Sequence, residues 1–246
     1  MKIERVGPNR APMFMLHGLE GSGKTSTVMQ LDNPLAILTE RGLPFGVSVD
    51  ALSGVDTYEG VIAGLRSFYK EPGAYRSLVI DTFDALEPMV HEHVCAEHRW
   101  KNIEQGPFGK GYVIADDRWR QLLTALSAIR DKHGTTIAMT CHTEVVRIDD
   151  PRAPSFTSYQ PKLHKRARAL VMDACDAVFF LADDLRTVSD DRDRTRASAG
   201  AGRFLFTTRQ PAFAAKNRFG MPDRIPFAAD FHVSNLTQYW QKEPTT

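Results

Sequence analysis

Short apolar runs alternate along the chain with longer amphipathic stretches, and glycine, proline or aspartate bounds most of the runs. Most runs are continuous rather than alternating in polarity, which is typical of strands that helices cover on both faces. The predicted strands cover residues 12–17, 35–39, 47–50, 77–82, 135–141, 176–181 and 203–208. Strands that alternate with helical stretches indicate an α/β fold.

The amphipathic stretches predict helices over residues 24–31, 57–70, 84–99, 116–133 and 162–174. In the fourth stretch, Trp119, Leu122 and Leu126 recur at helical spacing, so that face is expected in the core. Asp116 favours the positive start of the helix, and Gly134 is a typical C-terminal stop. The last stretch is expected to bury its apolar side chains and to leave its basic ones in solvent.

Three connections are long for a compact domain, at residues 100–115, 143–161 and 183–202. Loops of such length are usually functional or disordered. Interleaved aspartates and arginines make the third connection the strongest candidate for a flexible insert. The whole chain, residues 1–246, is expected to form one domain with its core at 12–225 and a short C-terminal extension at 226–246.

The composition is that of an ordinary globular protein, since 42% of the 246 residues are hydrophobic and 25% are charged. The 31 Lys and Arg nearly balance the 30 Asp and Glu, so any nucleic-acid partner would have to bind a local basic patch. The three cysteines are widely spaced, which argues against a disulfide framework or a zinc ribbon. No signal segment or membrane-spanning run is found, so we expect a cytoplasmic protein without a membrane partner.

Residues 18–25 read GLEGSGKT, a complete G-x-x-x-x-G-K-S/T motif between a predicted strand and a predicted helix. Glycines let such a loop wrap closely around a phosphate with its N–H groups turned inward, at the positive end of the helix. Lys24 is expected to contact the β- and γ-phosphates of ATP, and the Thr25 hydroxyl to coordinate Mg²⁺. The predicted nucleotide-binding residues are Gly18, Gly21, Ser22, Gly23, Lys24, Thr25 and Ser26.

Three carboxylates follow predicted strands and are candidates for the chemistry. Asp81 ends an apolar run, where its carboxylate would face the phosphate loop at the sheet edge and coordinate Mg²⁺. Glu40 follows the strand at 35–39 and is the candidate base that polarises the attacking water; the alternative is an exposed glutamate at a strand end. Asp84 is the weaker candidate for the base, because an aspartate there is typical of a helix N-cap.

The order of these parts resembles the RecA-like ATPase core. VIDTFDALEP resembles the magnesium-binding strand of recombinases, and TTIAMTCHTE places His142 where that family has a γ-phosphate sensor, usually glutamine. An imidazole can likewise hydrogen-bond a phosphate or a water molecule. The segment TTRQPAFAAKNRFG, residues 207–220, is similar to one that RecA-like proteins extend toward the ATP of a neighbouring subunit. The resemblance implies that Lys216 and Arg218 act in trans, in a homo-oligomer with ATP at the subunit interface.

The chain also resembles phage-encoded RecA-like nucleotide-binding proteins, including single-strand annealing recombinases reduced to the ATPase core. The residues that carry this resemblance are FGKGY at 108–112, CHTEVVRIDDP at 141–151, YQPKLHKRA at 159–167 and AAKNRFGMP at 214–222. It implies the fold of a RecA-like P-loop NTPase, with a mostly parallel central sheet and helices on both faces. It further implies a phage or prophage origin and a place in the cytoplasm of a bacterial host.

In the RecA core, two loops that bind single-stranded DNA follow the helix after the magnesium-binding strand and the sensor strand. The matching segments here are 100–115 and 143–161. Aromatic faces for stacking, with interleaved cations for the backbone, are what sequence-tolerant binding of a single strand requires. The candidate DNA-binding residues are Phe108, Lys110, Tyr112, Arg147, Arg152, Phe156, Tyr159 and Lys162.

The functional hypothesis is a Mg²⁺-dependent ATPase that acts on single-stranded DNA in phage recombination, by annealing or strand pairing. A single-strand-binding protein is a further candidate partner. Two alternatives stay open. One is a P-loop small-molecule kinase whose lid would be the arginine-rich stretch at 186–196. The other is a non-catalytic, ATP-gated assembly module for replication or recombination proteins.

Overall fold

A computed structural model of the chain describes residues 10–189 and 195–240 and contains, within those ranges, ten strands and six α-helices. The strands are β1 (Met13–Gly18), β2 (Pro34–Leu38), β3 (Asp50–Ala51), β4 (Ser77–Asp81), β5 (Thr136–Ile148), β6 (Phe156–Pro161), β7 (Ala177–Ser189), β8 (Thr195–Phe206), β9 (Lys216–Asn217) and β10 (Arg224–Pro226). The helices are α1 (Lys24–Val28), α2 (Tyr58–Lys70), α3 (Leu86–His98), α4 (Lys110–His133), α5 (Lys165–Ala174) and α6 (Ser234–Trp240). In this part of the chain no helix is long and apolar enough to cross a membrane.

The main path of the sheet runs β10-β8-β7-β1-β5-β4-β2-β3, with β6 paired to β5 and β9 paired to β7. Strands β7, β1, β5, β4, β2 and β3 are parallel to one another, whereas β8 pairs antiparallel with both β7 and β10. Gly18, at the end of β1, is the register partner of His142 on one side and of Leu181 on the other. The phosphate loop therefore leaves the middle of the sheet at the carboxyl edge, where α/β proteins bind ligands.

Helices cover both faces of the sheet. Met13, Met15 and Ile80 pack on one face against α2, α3, α4 and α5. Phe14 and Leu16 pack on the opposite face against α1 and α6. Successive residues of β1 thus enter different cores, which explains why its run is continuously apolar. The predicted α/β class with a mostly parallel sheet is confirmed.

The start of α4 differs from the sequence prediction. The helix begins at Lys110 rather than at residue 116, and two 3-10 turns, Ile103–Gln105 and Pro107–Gly109, occupy most of the predicted loop before it. A Cβ atom on Gly111 would lie 2.1 Å from the Ile103 carbonyl oxygen, so the first turn of α4 packs directly on backbone. Hydrophobic periodicity does not report such a contact, because the residue that permits it has no side chain.

The segment predicted as a loop at 143–161 is largely a β-hairpin, and that prediction is wrong. Strand β5 continues to Ile148 and pairs antiparallel with β6, from Thr143 opposite Pro161 to Ile148 opposite Phe156. The backbone hydrogen bonds of a hairpin do not require a continuous apolar run, since one face can lie in solvent. We refer to residues 143–161 as the β5–β6 hairpin.

The connection predicted as a flexible insert at 183–202 is, in its described residues, a pair of strands rather than a loop. Strands β7 and β8 pair antiparallel from Phe180 opposite Phe206 to Ser189 opposite Thr195, with an irregularity between Asp183 and Leu185. The polar residues of this stretch gave no strand signal in the sequence, because the backbone hydrogen bonds of paired strands do not require a continuous apolar run. Residues 190–194, and with them part of the predicted kinase lid, lie outside the described residues.

Two smaller differences concern a strand and a helix. The strand predicted at 47–50 is reduced to the two exposed residues of β3, which pair only with Leu35 and Ala36 at the sheet edge. Helix α5 buries Ala167 and Val171 as predicted, but its cations are not simply solvated. Arg166 lies 2.5 Å from Asp116, and Arg168 lies 2.7 Å from Glu144. Those carboxylates come from α4 and β5, so only the tertiary fold pairs them.

The described part of the predicted C-terminal extension, residues 226–240, folds back onto α1. Val233 N–H donates to the Gln30 side-chain oxygen at 3.0 Å. The Trp240 ring stacks on Phe14, with 5.4 Å between ring centroids. This extension therefore completes the core on the α1 face of the sheet.

Candidate nucleotide-binding site

The phosphate loop has the close packing that its glycines predict. A Cβ atom on Gly18 would lie 2.5 Å from the Leu181 carbonyl oxygen. Gly23 has a φ of 101°, a left-handed conformation that favours glycine. From the adjoining strand, Arg203 Nη1 donates to the Ser22 carbonyl oxygen at 2.8 Å. The loop thus packs against β7 and is hydrogen-bonded to β8.

Lys24 occupies the inside of this loop. Its side chain is buried, and its Nζ donates to the carbonyl oxygens of Gly18 and Leu19 at 2.9 Å each. Burial lowers the pKa of the Lys24 ammonium, and the nearby carboxylates, Asp84 first among them, oppose that shift. An ammonium enclosed by a glycine-rich loop is a point charge suited to phosphate oxygens.

Ser22 gives an independent indication that the loop fits an anion. Its Oγ atom is buried and has no hydrogen-bond partner among the described residues. A buried hydroxyl without a partner is costly, because it has lost its water and gained nothing in return. A phosphate oxygen bound in the loop would accept that hydrogen bond. The residues present therefore fit a nucleotide phosphate.

Thr25 and Asp81 meet as the sequence predicts. The Thr25 hydroxyl lies 3.1 Å from Asp81 Oδ1 and 3.0 Å from Oδ2, and the Thr140 hydroxyl also donates to Oδ1. The carboxylate is only 5% exposed, and the Asp81–Thr82 peptide bond is cis. Hydroxyl and carboxylate oxygens are the hard ligands that Mg²⁺ takes, so Thr25 and Asp81 fit a nucleotide-bound magnesium ion.

Glu40, Asp84 and His142 form one cluster beside the loop, with ligand atoms that all lie within 4.8 Å of one another. His142 Nδ1 lies 3.0 Å from Asp84 Oδ2 and 3.7 Å from Glu40 Oε1. The backbone N–H of His142 donates to Asp84 Oδ1 at 2.9 Å. A carboxylate only accepts, so Nδ1 carries the proton and the lone pair of a neutral ring is on Nε2.

The Glu40 carboxylate is partly exposed to solvent near Lys24. Its side chain is 44% exposed, and Oε1 accepts a hydrogen bond from the Thr82 hydroxyl at 2.9 Å. Glu40 is also among the carboxylates whose charge acts on Lys24. A partly exposed carboxylate near the Lys24 ammonium has the chemistry of a base that accepts a proton from water.

Asp84 is a site residue that sequence reasoning misplaced. It is not an N-cap, because α3 begins at Leu86 and its capping residue is Ala85. Its side chain is instead 8% exposed and holds His142 through two hydrogen bonds. The available signal was its position three residues after Asp81, which keeps both carboxylates at the same edge of the sheet.

His17 is a residue near the loop that the sequence analysis did not single out. It is fully buried at the end of β1, with Nε2 2.8 Å from the Ala214 carbonyl oxygen and Nδ1 3.0 Å from Thr143 Oγ1. Burial lowers the pKa of His17 to about 4, the hydrogen bond to Ala214 opposes the shift, and the charge of Lys24 adds to it. The ring is therefore neutral, with its proton on Nε2, since a carbonyl only accepts. A histidine that interrupts an apolar strand was the available signal.

Lys216 and Arg218 do not approach the phosphate loop of their own chain. Lys216 pairs with Val178 near the start of β7, three residues before Leu181, the partner of Gly18. Its Nζ donates to the carbonyl oxygens of Met172 and Asp173, at 2.8 and 3.1 Å. Arg218 Nη1 lies 3.6 Å from Asp176 Oδ1. Their role in a neighbouring subunit stays a prediction.

The first group of predicted DNA-binding residues precedes or begins α4. Phe108 is fully exposed with a φ of 54°, and Lys110 is the first residue of the helix. The Tyr112 ring stacks on His164, with 4.2 Å between centroids and 12° between planes. Of the two rings, Phe108 is thus the one that stands free in solvent.

The second group lies on the β5–β6 hairpin. Arg147 and Arg152 are 73% and 85% exposed, each beside an aspartate of the same hairpin. Phe156 is half-buried on β6, and the Tyr159 ring packs on Phe180. Two of the predicted DNA-binding residues, Tyr112 and Lys162, which directly follows the hairpin, line one cleft of about 750 Å³ that Glu40 and Asp84 also line. Two predicted DNA-binding residues and two members of the Glu40–Asp84–His142 cluster therefore line the same cavity.

The chain is similar to several known proteins. The sequence matches the AAA domain family over residues 10–219. It is 23% identical, over 229 residues, to the SPbeta prophage-derived uncharacterized protein YorG of Bacillus subtilis (strain 168). That alignment covers 91% of this chain and 64% of the relative, so the chain spans less than two thirds of the relative's length. A crystal structure of the RadB recombinase is similar with a TM-score of 0.45 and 14% identity, over 80% of this chain and 89% of that chain. The AAA family match and the prophage-derived relative agree with the predicted resemblance to phage-encoded P-loop ATPases.

Proposed function

The chain belongs to the AAA domain family, and we propose that it is a Mg²⁺-dependent ATPase that acts on single-stranded DNA. The observation that carries the ATPase proposal is the enclosure of Lys24 in the phosphate loop next to the Thr25–Asp81 pair. A cation for phosphate and a ligand pair for magnesium, side by side, are the parts that phosphoryl transfer requires.

Each residue around the loop has a separate role in the proposed reaction. Lys24 and the loop N–H groups would hold the β- and γ-phosphates, with the Ser22 hydroxyl donating its unpaired proton. Thr25 and Asp81 would hold Mg²⁺, which supplies charge neutralisation on the phosphate oxygens when bound. Glu40 would accept a proton from the attacking water, and Asp84 would hold His142 with one nitrogen free for a phosphate oxygen or a water.

The test of the ATPase proposal is hydrolysis by the Lys24→Ala variant. We expect loss of phosphate release by about 10²-fold or more, because the transferring phosphate loses its enclosed cation. Lys70→Ala is the matched control, since Lys70 is an exposed lysine at the end of α2. Full activity of the Lys24→Ala protein would refute the assignment.

The same assay separates the alternative functions. A phosphorylated small molecule in place of free phosphate would indicate a kinase. Nucleotide-dependent assembly with negligible turnover would indicate a non-catalytic assembly module.

The shared cleft supports a role on single-stranded DNA. Tyr112 and Lys162 open into the cavity that also contains Glu40 and Asp84, so a bound strand would lie beside the residues that act on ATP. The exposed Phe108 ring offers a stacking surface next to Lys110. We infer that annealing or strand pairing in phage recombination, in the cytoplasm of a bacterial host, is the process served.

The test of the DNA role is the rate of ATP hydrolysis with and without oligothymidine, alongside binding measured at low salt. Stimulation that disappears as salt rises would support the proposal, because phosphate contacts are salt-dependent. Absence of both stimulation and binding at low salt would exclude it. Phe108→Ala should weaken binding without changing hydrolysis in the absence of DNA, since its ring makes no contact with the nucleotide cluster.

We further propose that the protein is a homo-oligomer in which Lys216 and Arg218 act on the ATP of the neighbouring subunit. Their distance from the phosphate loop of their own chain supports this arrangement. Mixing Arg218→Ala subunits with Lys24→Ala subunits should restore hydrolysis, because one kind supplies an intact loop and the other intact cations. No rescue in a confirmed mixed oligomer would contradict it.

A further inference from the structure

We propose that His17 is a positioning residue that ties the phosphate loop of one subunit to the segment whose cations act on its neighbour. We call residues 212–218 the finger segment. The inference rests on the proposed trans action of Lys216 and Arg218, and it assigns to the ring of His17 the contact through which adjacent nucleotide sites are coupled.

The position of His17 links three parts of the site. It is the residue directly before Gly18, where the phosphate loop begins, and it is fully buried. Its ring packs on Phe180, with 5.0 Å between centroids. The ring is therefore fixed against β7 as well as by its two hydrogen bonds, and displacement of the loop strand would displace the ring with it.

The first hydrogen bond reaches the finger segment. His17 Nε2–H donates to the Ala214 carbonyl oxygen at 2.8 Å, two residues before Lys216. Ala214 N–H donates in turn to the Tyr159 carbonyl oxygen at 2.9 Å, and Tyr159 N–H donates to the Ala212 carbonyl oxygen at 2.8 Å. The finger segment is thus held between β1 and the β5–β6 hairpin at the point where it turns toward β9.

The second hydrogen bond of His17 reaches β5, the strand that contains His142. His17 Nδ1 accepts from the Thr143 hydroxyl at 3.0 Å, and Thr143 directly follows His142. The backbone of His142 is itself fixed, because its carbonyl oxygen accepts from Lys162 N–H at 2.9 Å. The neutral ring of His17 therefore links β1, to which it belongs, with β5 and with the finger segment.

In an oligomer, this contact would transmit a change from the phosphate loop of one subunit to the nucleotide site of the next. A change at the loop and sensor of one subunit would reach its own finger segment through His17, and from there the nucleotide of the next subunit. If His17 only supported its own loop, its loss would harm the subunit that carries the substitution. If it positions the finger segment, its loss would harm the neighbour.

A mixed-oligomer assay separates these outcomes. The reference mixture contains two kinds of subunit. Lys24→Ala subunits supply an intact finger segment and are called the finger donor, and Arg218→Ala subunits supply an intact phosphate loop and are called the loop owner. His17→Phe keeps a planar ring on Phe180 but removes both hydrogen bonds, and it is introduced into either kind of subunit. On the finger donor we expect hydrolysis to fall by about tenfold, because small misplacement of a catalytic group is costly. On the Arg218→Ala subunit, which supplies the intact phosphate loop, we expect hydrolysis to change by less than about twofold, since that subunit already lacks Arg218.

The outcomes are distinct. A loss confined to the mixture with His17→Phe on the loop owner, or equal losses in both mixtures, would overturn the inference. No rescue in the reference mixture itself would instead refute the proposed trans action. His17→Gln on the finger donor should restore most of the activity, because its amide can still donate to the Ala214 carbonyl. Unchanged thermal unfolding of each variant subunit, and confirmed mixed assembly, exclude a general folding defect as the cause.

Discussion

The surroundings of the phosphate loop and the β5–β6 hairpin both carry charged side chains, but these side chains differ in burial and in the origin of their partners. Asp81 is 5% exposed and accepts from hydroxyls on α1 and β5. Arg147 and Arg152 are 73% and 85% exposed and pair with aspartates two residues away. A buried charge must be matched by partners from several elements, whereas a solvated pair contributes little. Single substitutions should therefore have large effects on hydrolysis when they lie around the phosphate loop, and small effects on DNA binding when they lie on the hairpin.

The largest expected effect is that of Asp81→Asn. Loss of the carboxylate charge beside the Thr25 hydroxyl should lower magnesium-dependent hydrolysis by about 10²–10³-fold, because a buried electrostatic contact acts on the transferring phosphate. Steady-state phosphate release at saturating Mg²⁺ measures it. Asp117→Asn is the control, since Asp117 is a 69% exposed partner of Arg120 on α4. Hydrolysis within twofold of wild type would remove Asp81 from the site.

The pH dependence of stability should show the burial of His17. Its pKa is lowered from 6.5 to about 4, so between those values the unfolded chain binds a proton that the folded protein does not. The free energy of unfolding should therefore be fully retained above pH 6.5 and fall by about 3 kcal/mol as pH drops to 4. Urea unfolding of the wild type and of His17→Phe isolates this part, and equal pH dependence of the two proteins would contradict it.

Asp84→Asn should have an intermediate effect. An amide can still accept the backbone N–H of His142, but it no longer attracts the imidazole proton as a carboxylate does. We expect kcat to fall by about tenfold with little change in KM for ATP, because the loss is in positioning rather than binding. A change confined to KM would show that Asp84 contributes to ATP binding instead.

The smallest expected effect is that of Arg147→Ala on binding of oligothymidine. Removal of one exposed cation should weaken binding by roughly threefold at 0.1 M salt and lower the salt slope by about 0.7. Arg120→Ala is the matched control, because Arg120 is an exposed arginine on α4 paired with Asp117. Equal losses in both variants would show that the hairpin has no special role.

The parts of the site that were predictable lie close together in sequence or at the ends of strands. Residues 18–25 form a contiguous motif whose geometry is local, and Asp81 and Glu40 follow apolar runs that end at the carboxyl edge of a parallel sheet. The two hairpins were mispredicted because their exposed strands do not show the continuous apolar signal of the central ones.

The amino-acid sequence by itself determined the α/β class, the glycine-rich loop and the two residues, Thr25 and Asp81, that we propose as magnesium ligands, because short-range pattern and glycine chemistry specify them. Only the tertiary structure decided that Asp84 holds His142, 58 residues away, and that His17 contacts Ala214, 197 residues away. Such partners come from strands that meet only after the sheet has formed. A buried hydrogen bond between distant residues has no local periodicity, so the fold, and no stretch of sequence, selects its two ends.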